Sequence, residues 1–262
     1  MKLRPRSPWR VTLAVWHALL LREAVARLFG KRAAWLWLLV EPLAYIAFMA
    51  GFFSAFHARA IGGMDTTIWL TSGLLAFFVF RRCAIQGVAA VNANQALYAY
   101  RQVLPVDTVL VRCVLEALLM VVTAALVAMG LALMGRPIGT DDALTCFLSV
   151  AGLWLLALGW ALAASVAGEL VPEFSHVLNM FMVPTALISG AFFPLSSLPP
   201  SWRSAFMLNP IAHGVEGARA GISDYYHHAP ELSLAYLMAC ALVLLFFGLA
   251  LQLRFRHRLV TL

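Results

Sequence analysis

The chain has 262 residues, of which 63% are hydrophobic and only 12% are charged, and its mean hydropathy is +0.86. A soluble domain carries about 25% charged residues, and a single core cannot enclose this much apolar surface. The formal net charge of +7 would suit nucleic acid, but the basic residues cluster at the chain ends beside apolar stretches, as in membrane proteins. Composition therefore excludes a soluble nucleic-acid-binding domain and predicts an all-α integral membrane protein.

The first element in chain order is a helix predicted over Trp9–Phe29. Tryptophan and leucine recur at helical spacing from Trp9 to Leu20, with basic residues between and after them. A basic amphipathic helix that carries tryptophans lies well at a lipid headgroup interface. Residues 1–32 are therefore expected to form a cytoplasmic arm with an N-terminal amphipathic interfacial helix, and a fully soluble arm is the alternative.

Six apolar stretches follow, each close to the about 20 residues that cross a hydrocarbon core. They are Ala33–Phe56, Thr66–Ala90, Val109–Met134, Ala143–Ala167, Val177–Phe193 and Leu232–Leu253. Six transmembrane helices place both termini on the same side of the membrane. We therefore expect one transmembrane domain over residues 1–262, with the six-span bundle at 33–253 and a tail at 254–262.

The distribution of Lys and Arg gives the bundle a direction. Twelve of these residues lie in the N-terminal arm, the loop after the second span and the tail, whereas four lie in the segments on the opposite side. Because basic residues are retained in cytoplasmic segments, the pattern predicts a multi-pass protein with both termini in the cytoplasm.

The outer segment Ser189–Pro230 is apolar in patches and is interrupted by prolines. Non-helical backbone at membrane depth is tolerated only where it is buried in protein or lines a cavity. The segment therefore predicts two short re-entrant helices on the periplasmic side, near Pro200–Leu208 and Ile211–Gly221. An ordinary outer loop is the alternative.

Charged residues inside the spans are the most informative polar positions. Arg81 lies about 18 Å along the second span from Trp69, past the middle of a core about 30 Å thick. An arginine near the centre costs about 2.5–3.5 kcal/mol, so at least one of Arg81 and Arg82 is expected to face a polar interior. Reaching for the inner interface or pairing with Glu116 is the alternative. Arg112 lies one helical turn before Glu116 and can pair with it on one face.

The first span contains a second unusual site, Glu41 followed by Pro42. Proline inside a helix removes a backbone hydrogen bond and kinks the helix. Glu41 is expected either to bond to the kinked backbone or to meet a neighbouring arginine, and the sequence leaves both roles open.

Signatures of enzymes are weak. The chain contains no G-x-x-x-x-G-K-[ST], H-E-x-x-H or G-x-S-x-G motif, so it is not expected to hydrolyse ATP, and no metal ligands or cofactor are predicted in it. Ser189 with His213 is a weak candidate for an intramembrane protease dyad, and packed polar residues are the simpler interpretation. His227 and His228 near Asp224 more simply form an exposed loop cluster than a metal site.

Three groups of motifs along the chain belong together. At the N-terminal side they are Leu21–Glu23, Phe29–Lys31, Trp37 and Glu41-Pro42. In the inner loop they are Asn94-Gln95-Ala-Leu-Tyr98, Tyr100-Arg101 and Pro105–Thr108. On the outer side they are Phe193–Leu195, Pro199 and Asn209-Pro210-x-x-His213-x-x-Glu216-x-x-Arg219. In combination these motifs resemble the polysaccharide-exporting ABC permeases, and most closely the capsular (KpsM-type) subgroup.

The resemblance implies the membrane subunit of an exporter that moves a lipid-linked acidic polysaccharide across the bacterial inner membrane. It also implies a homodimer, two copies of a separate cytoplasmic ABC ATPase that binds ATP and Mg, a periplasmic polysaccharide co-polymerase and an outer-membrane export channel. The alternatives are the same fold with another cargo (an O-antigen, a teichoic acid or a drug), an intramembrane hydrolase and a passive channel.

Three groups of site residues follow from the patterns and the resemblance, with the pore expected at the dimer interface along spans one, two and five. A cargo path of aromatic faces for sugar rings and arginines for acidic groups comprises Arg27, Arg32, Trp35, Trp37, Arg81, Arg82, Tyr98 and Tyr100. The expected ATPase contacts on the two inner loops are Asn92, Asn94, Gln95, Leu97, Tyr98, Arg101, Glu169 and Glu173. The expected periplasmic gate comprises Pro194, Pro210, His213, Glu216 and Arg219.

Overall fold

The computed structural model describes residues 8–30, 34–56, 60–100, 102–136, 138–171 and 173–261, and almost all of this is helix. The α-helices are α1 (Pro8–Phe29), α2 (Ala34–Phe56), α3 (Thr66–Val88), α4 (Pro105–Leu133), α5 (Ala143–Leu170), α6 (Phe174–Ile188), α7 (Pro200–Phe206), α8 (Pro210–Ile222), α9 (Leu234–Arg254) and α10 (Arg256–Thr261). Two 3₁₀ helices cover Asn92–Ala99 and Leu195–Ser197, and the strands β1 (Ala60–Ile61) and β2 (Met64–Asp65) form an antiparallel hairpin.

Five helices in the described part of the chain are long and apolar enough to cross a membrane: α2, α3, α4, α5 and α9. They coincide with the first four predicted spans and the last one. The all-α membrane fold is therefore confirmed, and the predicted interfacial arm contains α1 as a helix with the expected bounds.

The fifth predicted span differs from the structure. Instead of Val177–Phe193, α6 covers Phe174–Ile188, which is 15 residues and about 22 Å long at 1.5 Å per residue. The helix ends early because the backbone turns at Gly190, where φ is +69°, a left-handed conformation that suits glycine at a helix end. Because α6 is shorter than a hydrocarbon core of about 30 Å, the count of six spans stays a prediction.

A short β-hairpin and a capped helix start connect α2 to α3. Gly62 and Gly63 both have positive φ and close the β1–β2 hairpin. The carboxylate of Asp65 then accepts hydrogen bonds from the backbone N–H groups of Thr67 and Ile68, which caps the start of α3. The hairpin is also held from outside, because the backbone N–H of His227 donates to the carbonyl of Gly62 at 2.8 Å.

Helix α3 is the central helix of the bundle and packs against α2, α4, α5, α6 and α8. Its side chains Trp69, Leu70, Leu74 and Phe77 are almost completely buried. A helix that is hydrophobic all round belongs inside a bundle, so α3 is the element around which the other helices are arranged.

Helices α5 and α9 make the closest helix pair. A Cβ atom added to Gly248 of α9 would lie 2.7 Å from the carbonyl oxygen of Gly159 on α5. Near this crossing, the Gln252 amide donates to the carbonyl of Leu162 at 3.1 Å and to the hydroxyl of Ser165 at 2.8 Å. Small residues let membrane helices approach closely, and polar side chains then link them.

Two short helices occupy the outer segment where they were predicted, α7 at Pro200–Phe206 and α8 at Pro210–Ile222. Both begin with proline at the first helical turn, where its missing N–H costs nothing. Helix α8 is packed against α3, α5 and α9 and is buried along most of its length. The helical prediction is confirmed, and their re-entrant position in the membrane stays a prediction.

Replacing Gly248 by alanine is expected to destabilise the bundle by about 1–3 kcal/mol, because the new methyl group forces α5 and α9 apart. The measurement is the thermal unfolding midpoint of the purified protein in detergent. Gly130→Ala in α4 is the matched control, since no atom lies within 4 Å of its added Cβ. Equal unfolding midpoints for the two variants would contradict the close approach.

Candidate functional site

Five charged side chains from three helices meet near the end of α3 and the start of α4. We call them the inner cluster, where inner denotes the predicted cytoplasmic side and outer the predicted periplasmic side. They are Glu23 and Arg27 of α1, Arg82 of α3, and Arg112 and Glu116 of α4. Glu116 is fully buried and pairs with both Arg27 and Arg82, with Arg82 Nε 2.8 Å from its Oε2 atom. Glu23 pairs with Arg27 at 3.0 Å and with Arg112 at 2.6 Å. Three arginines face two glutamates, so one positive charge is in excess.

Neighbouring polar groups accept further hydrogen bonds from the arginines of the cluster. Gln86 of α3 accepts a hydrogen bond from Arg27 through its side chain at 2.8 Å. The Nη1 atom of Arg82 donates to the carbonyl of Leu38 on α2 at 3.1 Å. Because hydrogen-bonded ion pairs tolerate burial far better than isolated charges, the cluster fixes α1, α2, α3 and α4 relative to one another.

The structure pairs the charges differently from the sequence analysis in two respects. Arg112 does not pair with Glu116, because Glu23 and Arg27 dock from α1 and supply each of them with another partner. Arg82 pairs with Glu116, which is the alternative to a polar pore lining that the sequence left open. Arg81 instead lies over the ring of Phe78, 5.6 Å from its centroid.

Two predicted ATPase contacts, Asn94 and Tyr98, are buried in the 3₁₀ helix Asn92–Ala99. The Asn94 amide donates to the carbonyl of Ala90 at 2.8 Å. The Tyr98 hydroxyl lies 2.8 Å from the hydroxyl of Thr108, and burial raises its pKa to about 12. These two side chains hold the helix in place, and direct contacts from them to an ATPase or a cargo stay predictions.

The same 3₁₀ helix presents other predicted contacts to its surroundings. Asn92 is exposed, and Gln95 and Leu97 are half-buried. Glu169, at the end of α5, receives a backbone hydrogen bond from Asn92, and Glu173 is exposed at the start of α6. The two inner loops therefore meet at the contact between Asn92 and Glu169, and we call them together the inner surface.

Helix α1 is fastened to this inner surface at two points. Arg22 donates to the side-chain oxygen of Asn94 at 2.9 Å. The indole N–H of Trp16 donates to Asp107 at 2.7 Å, and the other oxygen of that carboxylate accepts from the backbone N–H of Leu104 at 2.9 Å. Arg22 therefore links α1 directly to the 3₁₀ helix, and Trp16 links α1 to the start of α4.

The remaining residues of the predicted cargo path are dispersed. Trp37 and Tyr100 are each 67% exposed. Arg32 and the side chain of Trp35 lie outside the described residues, as does Arg101 of the predicted ATPase contacts. The structure therefore brings Arg27 and Arg82 together and leaves Trp37 and Tyr100 at the surface.

A second ionic site is sealed at the outer end of the bundle, between Glu216 and Arg219 of α8. Both are completely buried, and their charged atoms are 3.3 Å apart. The Arg219 guanidinium also donates to the carbonyls of Gly190 at 2.8 Å, Ala191 at 3.0 Å and Trp69 at 3.1 Å. It stacks on the Trp69 ring at 3.9 Å from the centroid, a cation–π contact that is strong when desolvated.

The carboxylate of Glu216 is equally well satisfied. The Tyr226 hydroxyl donates to it at 3.0 Å, and the backbone N–H of Ala229 donates at 3.2 Å. Burial raises the pKa of Tyr226 to about 12, so the phenol stays a donor. Together with Arg219, this carboxylate joins α3, α8 and the outer loops.

His213 and Ser189 are both occupied by other partners. The His213 Nδ1 atom accepts from the backbone N–H of Ser233 at 3.0 Å, so its Nε2–H donates to the carbonyl of Met207 at 2.8 Å. The Ser189 hydroxyl donates to the carbonyl of Thr185 at 2.6 Å. The two side chains do not bond to each other in the described part of the chain, so the geometry gives the protease alternative no support.

The two prolines of the predicted periplasmic gate each stand at the start of a short helix. Pro194 precedes the 3₁₀ helix Leu195–Ser197, and Pro210 is the first residue of α8, after the capping residue Asn209.

In the described residues, no group of three or more His, Cys, Asp or Glu side chains is arranged to hold a metal ion.

Sequence analysis missed several members of these networks. Glu23 and Arg27 have the i, i+4 spacing of a helical ion pair, which could have indicated Glu23. Trp69 and Tyr226 carry no local signal, because they are 157 residues apart and meet only through the fold, with 3.4 Å between the indole nitrogen and the phenol oxygen.

A bundle of long apolar helices with its buried charges paired defines a multi-pass integral membrane protein, and the comparisons define its family. Residues 15–223 match the ABC-2 type transporter family, and the chain belongs to it. The resemblance to ABC permeases noted in the sequence is thereby confirmed.

The chain is similar to named members over nearly its whole length. It is 35% identical to the polysialic acid transport protein KpsM of Escherichia coli, over 94% of this chain and 95% of that protein. It is 30% identical to the capsule polysaccharide export inner-membrane protein CtrC of Neisseria meningitidis serogroup B, over 91% and 89%. The identity to the capsule polysaccharide export inner-membrane protein BexB of Haemophilus influenzae is 26%, over 90% and 88%.

Arg219→Ala is expected to lower the free energy of unfolding by about 3–5 kcal/mol, because it leaves the Glu216 carboxylate buried and unpaired. The measurement is thermal or denaturant unfolding of the purified protein. Arg136→Ala is the matched control: its pair with Asp65 has side chains 45% and 35% exposed, and a surface pair contributes less than about 1 kcal/mol. Equal losses in both variants would contradict the sealed site.

The outer segment is expected to lose stability in acid through His213. Burial lowers the pKa of His213 in the folded protein from an unfolded value of about 6.5. The unfolded chain therefore binds the proton more readily, and stability is complete above about pH 6.5 and falls as the pH drops toward the folded pKa. Unfolding midpoints measured across this range should fall less steeply in His213→Asn, and parallel profiles would contradict the assignment.

Proposed function

We propose that this chain is the membrane-spanning permease subunit of an ATP-driven exporter that moves a lipid-linked acidic capsular polysaccharide across the bacterial inner membrane. The observation that carries the proposal is the similarity, over nine tenths of the chain, to KpsM, CtrC and BexB, whose names specify polysialic acid transport or capsule polysaccharide export. The same similarity favours this cargo over an O-antigen, a teichoic acid or a drug.

The working assembly is a homodimer of six-span subunits with both termini in the cytoplasm. In this arrangement α6 and the turn after it form the fifth crossing along the chain and bring the total to six, and α7 and α8 lie as re-entrant helices at the periplasmic side. Two copies of a separate ABC ATPase bind ATP and Mg. A periplasmic polysaccharide co-polymerase and an outer-membrane channel continue the path.

The inner surface gives this assembly a mechanical route. ATP binding would close the two ATPases on the 3₁₀ helix Asn92–Ala99 and on the second inner loop. Motion of that helix passes to α1 through Arg22 and Asn94, 2.9 Å apart. From α1 the inner cluster transmits it to α3 and α4 through Glu116.

The chemistry of the path suits a long polyanion. The excess positive charge of the inner cluster attracts acidic groups, and exposed aromatic side chains such as Trp37 and Tyr100 offer faces for sugar rings. Because a polymer must slide, many weak contacts serve it better than one tight site. Acidic groups on a moving polymer can take the place of the carboxylate that pairs with an arginine such as Arg27, because the planar guanidinium binds carboxylates in more than one geometry.

An apolar cavity of about 470 Å³ supports a cargo with a lipid anchor. It lies between α5, α6, α8 and α9, and side chains such as Trp160, Phe181, Met182 and Leu244 line it. The indole N–H of Trp160 is buried there without a partner in the described residues. The site offers hydrocarbon chains an apolar surface and one hydrogen-bond donor.

The decisive experiment deletes the gene in the native bacterium and measures polysaccharide at the surface and inside the cell. Loss of surface capsule with internal accumulation, restored by the wild-type chain, is the expected result. Capsule at wild-type levels, or loss of a different surface glycan, would overturn the proposed cargo.

The purified chain alone should hydrolyse no ATP, and the ATPase should co-purify with the chain from native membranes.

Coupling is tested by Leu97→Glu on the inner 3₁₀ helix. A charge at this half-buried position is expected to reduce co-purification of the ATPase and export by about tenfold, with the thermal unfolding midpoint measured in parallel to exclude misfolding. Leu208→Glu is the matched control, because Leu208 is 71% exposed at the outer side. Full ATPase binding by Leu97→Glu would show that this helix is not the contact.

A further inference from the structure

Away from the ends of the spanning helices, two charged side chains have no ionic partner in the part of the chain that the structure describes. Glu41 on α2 is exposed, and no ion pair or side-chain hydrogen bond reaches it. Arg81 on α3 is half-buried, and its guanidinium lies over the ring of Phe78. Ionisable groups at membrane depth nearly always pair or face water, so the protomer leaves one acid and one base to be satisfied from outside.

The two charges lie at the same depth. Glu41 follows the first residue of α2, Ala34, by seven positions, and Arg81 precedes the last residue of α3, Val88, by seven positions. At 1.5 Å per residue, each lies about 10 Å from the inner end of its helix.

Contacts between α2 and α3 confirm this register. On the inner side, the Arg82 guanidinium reaches the carbonyl of Leu38 at 3.1 Å. On the outer side, the rings of Tyr45 and Phe78 are 5.6 Å apart. Glu41 and Arg81 fall between these two contacts, one on each of two adjacent helices.

The face of α2 around Glu41 is open and apolar. Trp37 is 67% exposed and Phe48 is 65% exposed, on either side of Glu41 along the helix. The face therefore combines large aromatic side chains with one uncompensated carboxylate. Lipid alone would cover the aromatic groups but would leave the carboxylate without a partner.

A second copy of this chain supplies the missing partners. In a twofold-symmetric dimer the same patch meets itself, so every contact occurs twice and the patch must be self-complementary. A patch with one acid and one base at equal depth meets this condition. We propose that Glu41 of each protomer pairs with Arg81 of the second copy, so that the α2–α3 face forms part of the dimer interface.

This inference rests on the homodimer in the proposed function and names the contact that joins its copies. It is compatible with Arg81 on the cargo path, because that path is proposed to run along the same interface. Acidic groups of a passing polymer would compete with Glu41 for the guanidinium.

The test co-expresses two differently tagged chains, one with Glu41→Arg and the other with Arg81→Glu. The first then carries two positive charges in the patch and the second carries two negative charges. If the pair forms between copies, each chain repels itself, and mixed dimers restore both contacts. We expect mixed dimers to exceed the statistical half of all dimers by far, and each variant expressed alone to lose dimer about tenfold.

A pair formed within one protomer predicts the opposite, because both variants then break it and mixing restores nothing. Statistical mixing would therefore overturn the proposal. The matched control exchanges the charges of an internal pair, Arg203→Glu in one chain and Glu231→Arg in the other, whose side chains are 2.9 Å apart within the protomer. That control should show no preference for mixed dimers.

Thiol cross-linking in native membranes gives an independent measurement. One tagged copy carries Glu41→Cys and the other Arg81→Cys, and a short bis-maleimide alkylates both thiols, because an ion pair can hold Cα atoms farther apart than the about 7 Å that a disulfide bridges. Only an intersubunit cross-link can join both tags in a band of about twice the monomer mass. Val243→Cys on α9, an exposed position, replaces one partner as the control. No band beyond that control would overturn the contact.

The two proposals fail in different ways. If differently tagged wild-type copies never co-purify, the homodimer of the proposed function is wrong. If they co-purify and export capsule but show neither charge preference nor cross-link, only the pair between Glu41 and Arg81 is wrong.

Discussion

Glu116, fully buried in α4, binds Arg27 of α1 and Arg82 of α3, and the arrangement of the inner half of the protein depends on it. Two arginines in an apolar bundle require a counter-charge, because isolated charges there are expensive. One carboxylate serves both, so the surface helix and the central helix must meet at the same residue. Through Gln86 and Leu38 the constraint extends to the rest of α3 and to α2.

At the outer end the buried charges are also paired, but here protein groups enclose the pair on all sides. Glu216 and Arg219 are enclosed by Trp69, Tyr226 and backbone carbonyls, and every charged group has a hydrogen-bond partner. Such a pair adds little stability compared with an apolar core, but breaking it is costly. The outer network therefore specifies how α8 sits against α3, whereas the inner cluster carries an excess positive charge and remains linked to the surface through α1.

The proposed transport mechanism uses the difference between these two ends. At the inner face, Arg22 links α1 to the 3₁₀ helix that is proposed to receive the ATPase, and Trp16 links α1 to the start of α4. At the outer face, the ring of His213 and the charges of Glu216 and Arg219 have partners within the protein. In the proposed mechanism the inner surface moves while the outer end keeps its register.

Apolar length and helical spacing are local properties, so the sequence alone was enough to predict the membrane class, the positions of five long helices, the helix α1 and the two short outer helices. It indicated the pair of Arg82 with Glu116 only as one of several arrangements, and sequence analysis missed Glu23 and Trp69. The three-dimensional structure was needed to establish which charge meets which and where α6 ends. Ion pairs between helices depend on packing distance and helix rotation, and these are fixed jointly by residues far apart in the chain.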